Sequence, residues 1–109
     1  DFYLLGWGVP TFDSQYVFDF LVHTREGSYG AFNGSRYSNP ELDEKIQALA
    51  TMTDLEERDA LIAEIWDEVM EERIFLNVHN QMLAYAMRDN INLEVHPENQ
   101  PRMTSVTFD

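Results

Sequence analysis

At 109 residues, with 44% apolar and 13% aromatic content, the chain has the composition of one globular domain or a piece of one, not of a disordered segment. Its 20 acids against 7 bases give a formal charge of −13, which leaves no basic footprint for nucleic-acid phosphates and disfavours an anionic membrane surface. Zero Cys excludes disulfides, thiolate zinc sites and Cys nucleophiles, and no apolar run approaches the roughly 18 residues that cross a bilayer.

The chain opens at Asp1-Phe-Tyr-Leu-Leu5, inside a strand-like run, with no initiator Met and no basic leader. It is therefore read as a piece of a longer protein. Phe2–Leu5 predicts a short buried strand, stopped by Gly6 and Gly8. Gly8-Val-Pro10 breaks regular structure, because Pro10 lacks an N–H and restricts Val9. Asp13 or Ser14 then caps a short helix running to about His23, with Val17, Phe20 and Leu21 on one face at i, i+3, i+4 spacing. Glu26 to Ser35, with three glycines and two serines, predicts a loop.

Two acidic helices follow. Asn39 is an N-cap and Pro40 sits at the first helical position, where its missing N–H removes nothing. Leu42, Ile46 and Leu49 recur on one face of a helix over Asn39 to Met52. Thr53 with Glu56 forms a capping-box pattern for a second helix over Asp54 to Glu72. Its apolar stripe comprises Leu61, Ile62, Ile65, Trp66, Val69 and Met70. Glu41 to Arg73 holds 12 acids against 3 bases, and these read as solvated helix faces that keep a protein soluble. Past the helices, Ile74–Val78, Met82–Met87 and Ile91–Val95 read as strands, and Met103–Phe108 as a terminal one. The expected architecture is α+β: a helical hairpin packed on a mixed sheet.

Catalytic chemistry finds little purchase. His23, His79 and His96 are far apart, without metal-ligand spacing, and His79 reads as a core or rim His at a strand end. Twenty acids make chance carboxylate pairs inevitable, and no P-loop, G-x-G-x-x-G or G-x-S-x-G elbow is present. The sequence thus reads as a non-enzyme that uses no cofactor and no metal. A strand ending in Gly6-Trp7-Gly8 before a Pro loop instead presents an indole beside approachable backbone, which suits ligand binding. Spacing alone favours a Trp7 packed in the core.

Three blocks carry a family resemblance: Leu5-Gly-Trp-Gly8; Asn33-Gly-Ser-Arg-Tyr-Ser-Asn-Pro-Glu-Leu-Asp43 with Arg58; and Val78-His79 with Tyr85-Ala-Met-Arg88 and Asn90. Together they resemble the C-terminal portion of the extracellular solute-binding proteins, family 5, that serve peptide, opine and nickel ABC importers. The resemblance implies a class II-type periplasmic binding fold, with residues 1–88 in the C-terminal lobe and residues 89–109 as strands crossing toward the N-terminal lobe. It further implies a periplasmic or extracellular protein that captures a peptide or peptide-like solute and delivers it to a membrane permease. Trp7, Gly8, Val9 and Asp13 would contact the ligand. Peptide-binding members often carry an Asp three residues after the Trp; here that position is Pro10, and Asp13 matches a second acidic position in such loops. A different reading of the same chain is a free-standing acidic protein-interaction module whose helical hairpin docks a partner.

Overall fold

The computed structural model describes residues 3–97 and 99–109. The chain divides into two compact units, one made of Asp1–Pro10 with Val78–Asp109 and the other of Thr11–Asn77. In the broad sense the protein is α+β, with helices and a small antiparallel sheet.

The unit Thr11–Asn77 is helical. Helix α1, Ser14–Val17, continues directly into a π-helical turn, Phe18–Val22, closed by the His23 N–H donating to the Phe18 carbonyl at 2.9 Å. Of the two caps that the sequence allows, Asp13 is used: its carboxylate accepts the Gln15 N–H at 2.8 Å. The wide π turn changes which residues face inward. Phe18 and Val22 are fully buried, whereas the expected stripe of Val17, Phe20 and Leu21 is only partly so. A strict α period places the wrong residues inside.

Helix α2, Pro40–Leu49, starts as its sequence dictates. The Asn39 carboxamide oxygen accepts the N–H groups of Glu41 at 3.1 Å and Leu42 at 3.4 Å, and Pro40 occupies the first turn. Leu42, Ile46 and Leu49 are buried, as the spacing predicts. The helix ends at Leu49, three residues before the expected boundary at Met52.

Helix α3, Leu55–Glu71, corrects the capping expectation. Asp54, not Thr53, is the N-cap, its carboxylate accepting the N–H groups of Glu56 and Glu57 at 3.0 Å each. A carboxylate also meets the positive end of the helix dipole, which a Thr hydroxyl does not. Ile65 and Val69 are buried, Leu61, Ile62 and Trp66 are partly buried, and Met70 lies outside the stripe at 49% exposure. At the other end, Arg73 takes a left-handed backbone (φ 54°), with Arg73 N–H donating to Met70 O and Ile74 N–H to Val69 O, both at 3.3 Å. This is a Schellman closure with Arg where Gly is usual. It turns Ile74 and Phe75 back onto the core, Phe75 edge-on to Trp66 at 6.2 Å between centroids. The expected strand Ile74–Val78 does not form, because its first two residues staple the end of α3.

The hairpin is closed by the α1–π segment, through Phe18 packed on Trp66 with centroids 4.9 Å apart, and not by a sheet. Trp66 also donates its indole N–H to Ser14 Oγ at 3.0 Å, so the core Trp has its polar atom satisfied. Lys45 of α2 ties to Glu64, at 2.7 Å, and to Glu68 of α3. Those two carboxylates hold the Lys45 ammonium above its usual range, Glu64 first.

The second unit holds the one ladder among the described residues, a two-stranded antiparallel sheet rather than the mixed sheet expected. Strand β1, Ile91–Asn92, pairs with β2, Thr107–Phe108, in the register Ile91 to Phe108 and Asn92 to Thr107. A 3₁₀ turn, Met103–Ser105, precedes β2 and replaces the first half of the expected terminal strand. Asn92 Nδ2 donates to Asp109 Oδ2 at 2.9 Å, adding a side-chain tie to the short ladder. Residues 3–5 and 82–87 take part in no helix or strand, with Leu4 at 86% and Met82 at 88% exposure. Phe2, the first residue of an expected strand, lies outside the described residues. Apolar alternation marks these segments as able to pair, yet a strand exists only where a second strand accepts its hydrogen bonds.

Candidate functional site

The segment from Gly6 to Asp13 is the one on which ligand binding is expected. Gly6 and Gly8 are exposed, and a Cβ built on either would meet no atom within 4 Å, so the backbone on both sides of the indole is open to approach. Trp7 and Val9 are partly buried. Pro10 ends this stretch in a turn with Thr11, and Phe12 follows in a left-handed conformation (φ 54°) with 69% of its surface exposed. Trp7, Gly8 and Val9 belong to one unit, and Asp13 to the other.

Asp13 is fully engaged by its own unit. Oδ1 accepts from Gln15 N at 2.8 Å and from Arg58 Nη2 at 3.0 Å, and Oδ2 lies 2.9 Å from the same guanidinium nitrogen. Arg58 also donates to Gln15 Oε1 at 3.1 Å. The Arg58 hydrogen bond holds the Asp13 carboxyl below the usual carboxylate range, against a smaller opposing effect of burial. Arg58, which the sequence offers as part of a motif, thus joins α3 to the cap of α1.

The Asn33–Pro40 block is also architectural. Asn33 is fully buried, and its amide nitrogen donates to His23 O at 3.0 Å and Tyr37 O at 2.8 Å, with Val22 O at 3.4 Å. Its oxygen accepts from Ser35 Oγ at 2.9 Å and Tyr37 N at 3.2 Å. One side chain therefore ties the end of the π turn to the strand of backbone that enters α2. Beside it, His23 is 1% exposed, stacked on Tyr29 with ring centroids 4.3 Å apart. Nδ1–H donates to Thr24 O at 2.7 Å, which assigns Nε2 as the acceptor of the Gln47 amide at 2.9 Å. His23 is a satisfied core histidine. His79 stands exposed in a segment without regular structure instead of at a strand end.

At Asp19, next to this cluster, desolvation raises the carboxyl above the usual range, opposed by His23 and by Gln15. Among the described residues no group of three or more His, Cys, Asp or Glu side chains gathers at metal-binding distance. No helix among them is long and apolar enough to cross a membrane.

A cleft that sequence reasoning missed lies where the two arms of the loop meet. Thr24, Arg25, Arg36, Tyr37 and Ser38 line a space of about 220 Å³. Thr24 Oγ1 donates to Ser38 Oγ at 3.0 Å across it. The signal in the sequence is slight: two Arg residues eleven apart in an acidic chain, with Glu26 the one acid between them. Comparison with known protein families, with characterised proteins and with solved structures finds no match to this chain.

Proposed function

We propose that this chain is part of a solute-binding protein of an ABC importer, which captures a peptide or peptide-like solute and delivers it to a membrane permease. In this reading the chain supplies most of the C-terminal lobe of a class II-type binding fold, outside the cytoplasmic membrane, and performs no chemistry on its ligand. Closure of two lobes over the solute, favoured by contacts to both, would signal the loaded state.

The observation that carries the proposal is the Gly6-Trp7-Gly8 segment. Its flanking glycines stand in open space, so the amides of a peptide ligand have free access to backbone N–H and C=O groups beside an apolar ring. The resemblance of the three sequence blocks supports it further. In this reading Asp13 is a further acidic group offered to the ligand, and a ligand amine that reached it would compete with Arg58 for the carboxylate.

The test is peptide binding, followed by titration calorimetry, by the full-length binding protein of which this reading makes the chain a part. Titration with a tripeptide mixture is expected to give a saturable signal that Trp7→Ala removes without lowering the melting temperature appreciably. The 109 residues alone are expected to bind far more weakly. An unchanged affinity in the Trp7→Ala protein overturns the site, and tight binding by the 109 residues alone overturns the two-lobe reading.

A further inference from the structure

We infer that the cleft between Thr24–Arg25 and Arg36–Ser38 is a binding site for a small organic carboxylate, built from none of the residues of the peptide-facing segment proposed above. The argument begins with charge. The protein has only seven cationic side chains, and Lys45 and Arg58 are committed to carboxylates of the helices. Arg25 and Arg36 make no ion pair among the described residues, yet both line one cleft. In a chain of formal charge −13, two cations left without carboxylate partners at one place form a local exception to the field.

The donors are positioned and in part unspent. Arg25 is held by Nε donating to Gly30 O at 3.2 Å and Nη2 to Ala31 O at 3.0 Å, which fixes the guanidinium while leaving three of its five N–H groups. Ser38 Oγ accepts from Thr24 Oγ1, so its own proton remains to be donated. Arg36 stands in a left-handed conformation (φ 58°), a strained state for a non-glycine residue, in the turn that brings it to the cleft. Tyr37 is the partly buried aromatic wall, its hydroxyl already accepting from Asn39 Nδ2 at 3.2 Å. Asp43 is the nearby carboxylate; it accepts the Thr24 N–H at 2.9 Å and does not line the cleft.

Size and charge choose the ligand. About 220 Å³ falls below the ~300–1,000 Å³ typical of drug-sized ligands, so the occupant has few heavy atoms. A guanidinium fork matches a planar carboxylate in bidentate fashion. A phosphate would bring close to two negative charges into the field of a strongly acidic protein, and a carboxylate brings one. An aromatic wall beside the donors suits a carboxylate on a small apolar body.

The experiment is a titration of the full chain with benzoate at constant ionic strength, read by NMR at the Arg Nε–Hε groups and the backbone amides of Thr24, Arg36, Tyr37 and Ser38. Saturable shifts confined to these positions are expected, with acetate weaker than benzoate. Arg36→Ala should weaken binding about tenfold or more by removing one charge-assisted partner, and Arg36→Lys should restore only part of it. Arg36→Gly removes the guanidinium while suiting the left-handed backbone, so it separates lost binding from lost folding. Shifts that rise linearly, that chloride reproduces, or that survive in both Arg36→Ala and Arg36→Gly overturn the site. Tighter binding of inorganic phosphate than of benzoate overturns the assignment to carboxylates.

Discussion

Gly30 offers the sharpest test of how the helical unit is built. Its backbone lies at φ +62°, and its N–H donates to Asp19 O at 2.7 Å, so the turn is locked onto the π segment. A Cβ at this position would stand 2.3 Å from His23 O and 2.9 Å from both Arg25 N and Thr24 C, all backbone atoms with no rotamer to yield. Gly27 shares the left-handed backbone (φ +60°) but has nothing within 4 Å of its would-be Cβ. The left-handed conformation alone costs an Ala side chain about 1–2 kcal/mol, and reduced freedom of the unfolded chain returns about 0.4–1 kcal/mol. Gly27→Ala should therefore lower stability by about 1.6 kcal/mol or less. Gly30→Ala adds steric displacement of backbone, about 1–3 kcal/mol on the scale of overpacked sites, and should lose about 1–4.6 kcal/mol in all. Urea denaturation followed by helical circular dichroism and by Trp fluorescence measures both variants. If the two losses agree within about 0.5 kcal/mol, the close approach of Gly30 to the His23 carbonyl is not what the structure places there.

Three other substitutions examine separate parts of the same unit. Asn33→Ala should cost about 2–3 kcal/mol, because it strands the His23 carbonyl in a buried place, strips the Tyr37 carbonyl of its donor and leaves the Tyr37 N–H only the Ser35 hydroxyl; a loss near zero in chemical denaturation would mean water takes over these bonds. Leu49→Ala and Ile65→Ala should each cost about 2–5 kcal/mol through lost burial and a residual cavity, and losses below about 0.5 kcal/mol at both would show the buried face to be misplaced. Arg58→Ala should lower stability at neutral pH and do so less in acid. The folded Asp13 carboxyl titrates below its ordinary value of 3.8, so the pair's stabilisation is present above that value and is lost as pH falls through the lower folded one. A wild-type minus variant difference that is flat from pH 7 down to about pH 2 would refute the pairing of Asp13 with Arg58.

Local chemistry specifies the start and the buried face of α2, although it misplaces the cap of α3, which is Asp54 and not Thr53. Asn39-Pro40 caps α2, and Leu42, Ile46 and Leu49 face inward, because a cap and a 3.6-residue period need only neighbours in sequence. The Gly6-Trp7-Gly8 segment was equally legible as a place where backbone is open, since glycine and proline act on their own residues. Tertiary structure decided the rest. The strands expected at residues 74–78 and 82–87 depend on a partner that alternation cannot name, and Ile74 and Phe75 went to the end of α3 instead. Phe18 and Val22 replaced Val17, Phe20 and Leu21 in the core because π-type, i→i+5 hydrogen bonding widened a turn. Asp13 meets Arg58 across 45 positions, and Arg25 shares a cleft with Arg36 only because Gly30 turns the loop and Asn33 ties it to the π segment. Short-range chemistry wrote the helices and their caps; long-range closure chose which polar side chains became anchors and which were left facing a cleft.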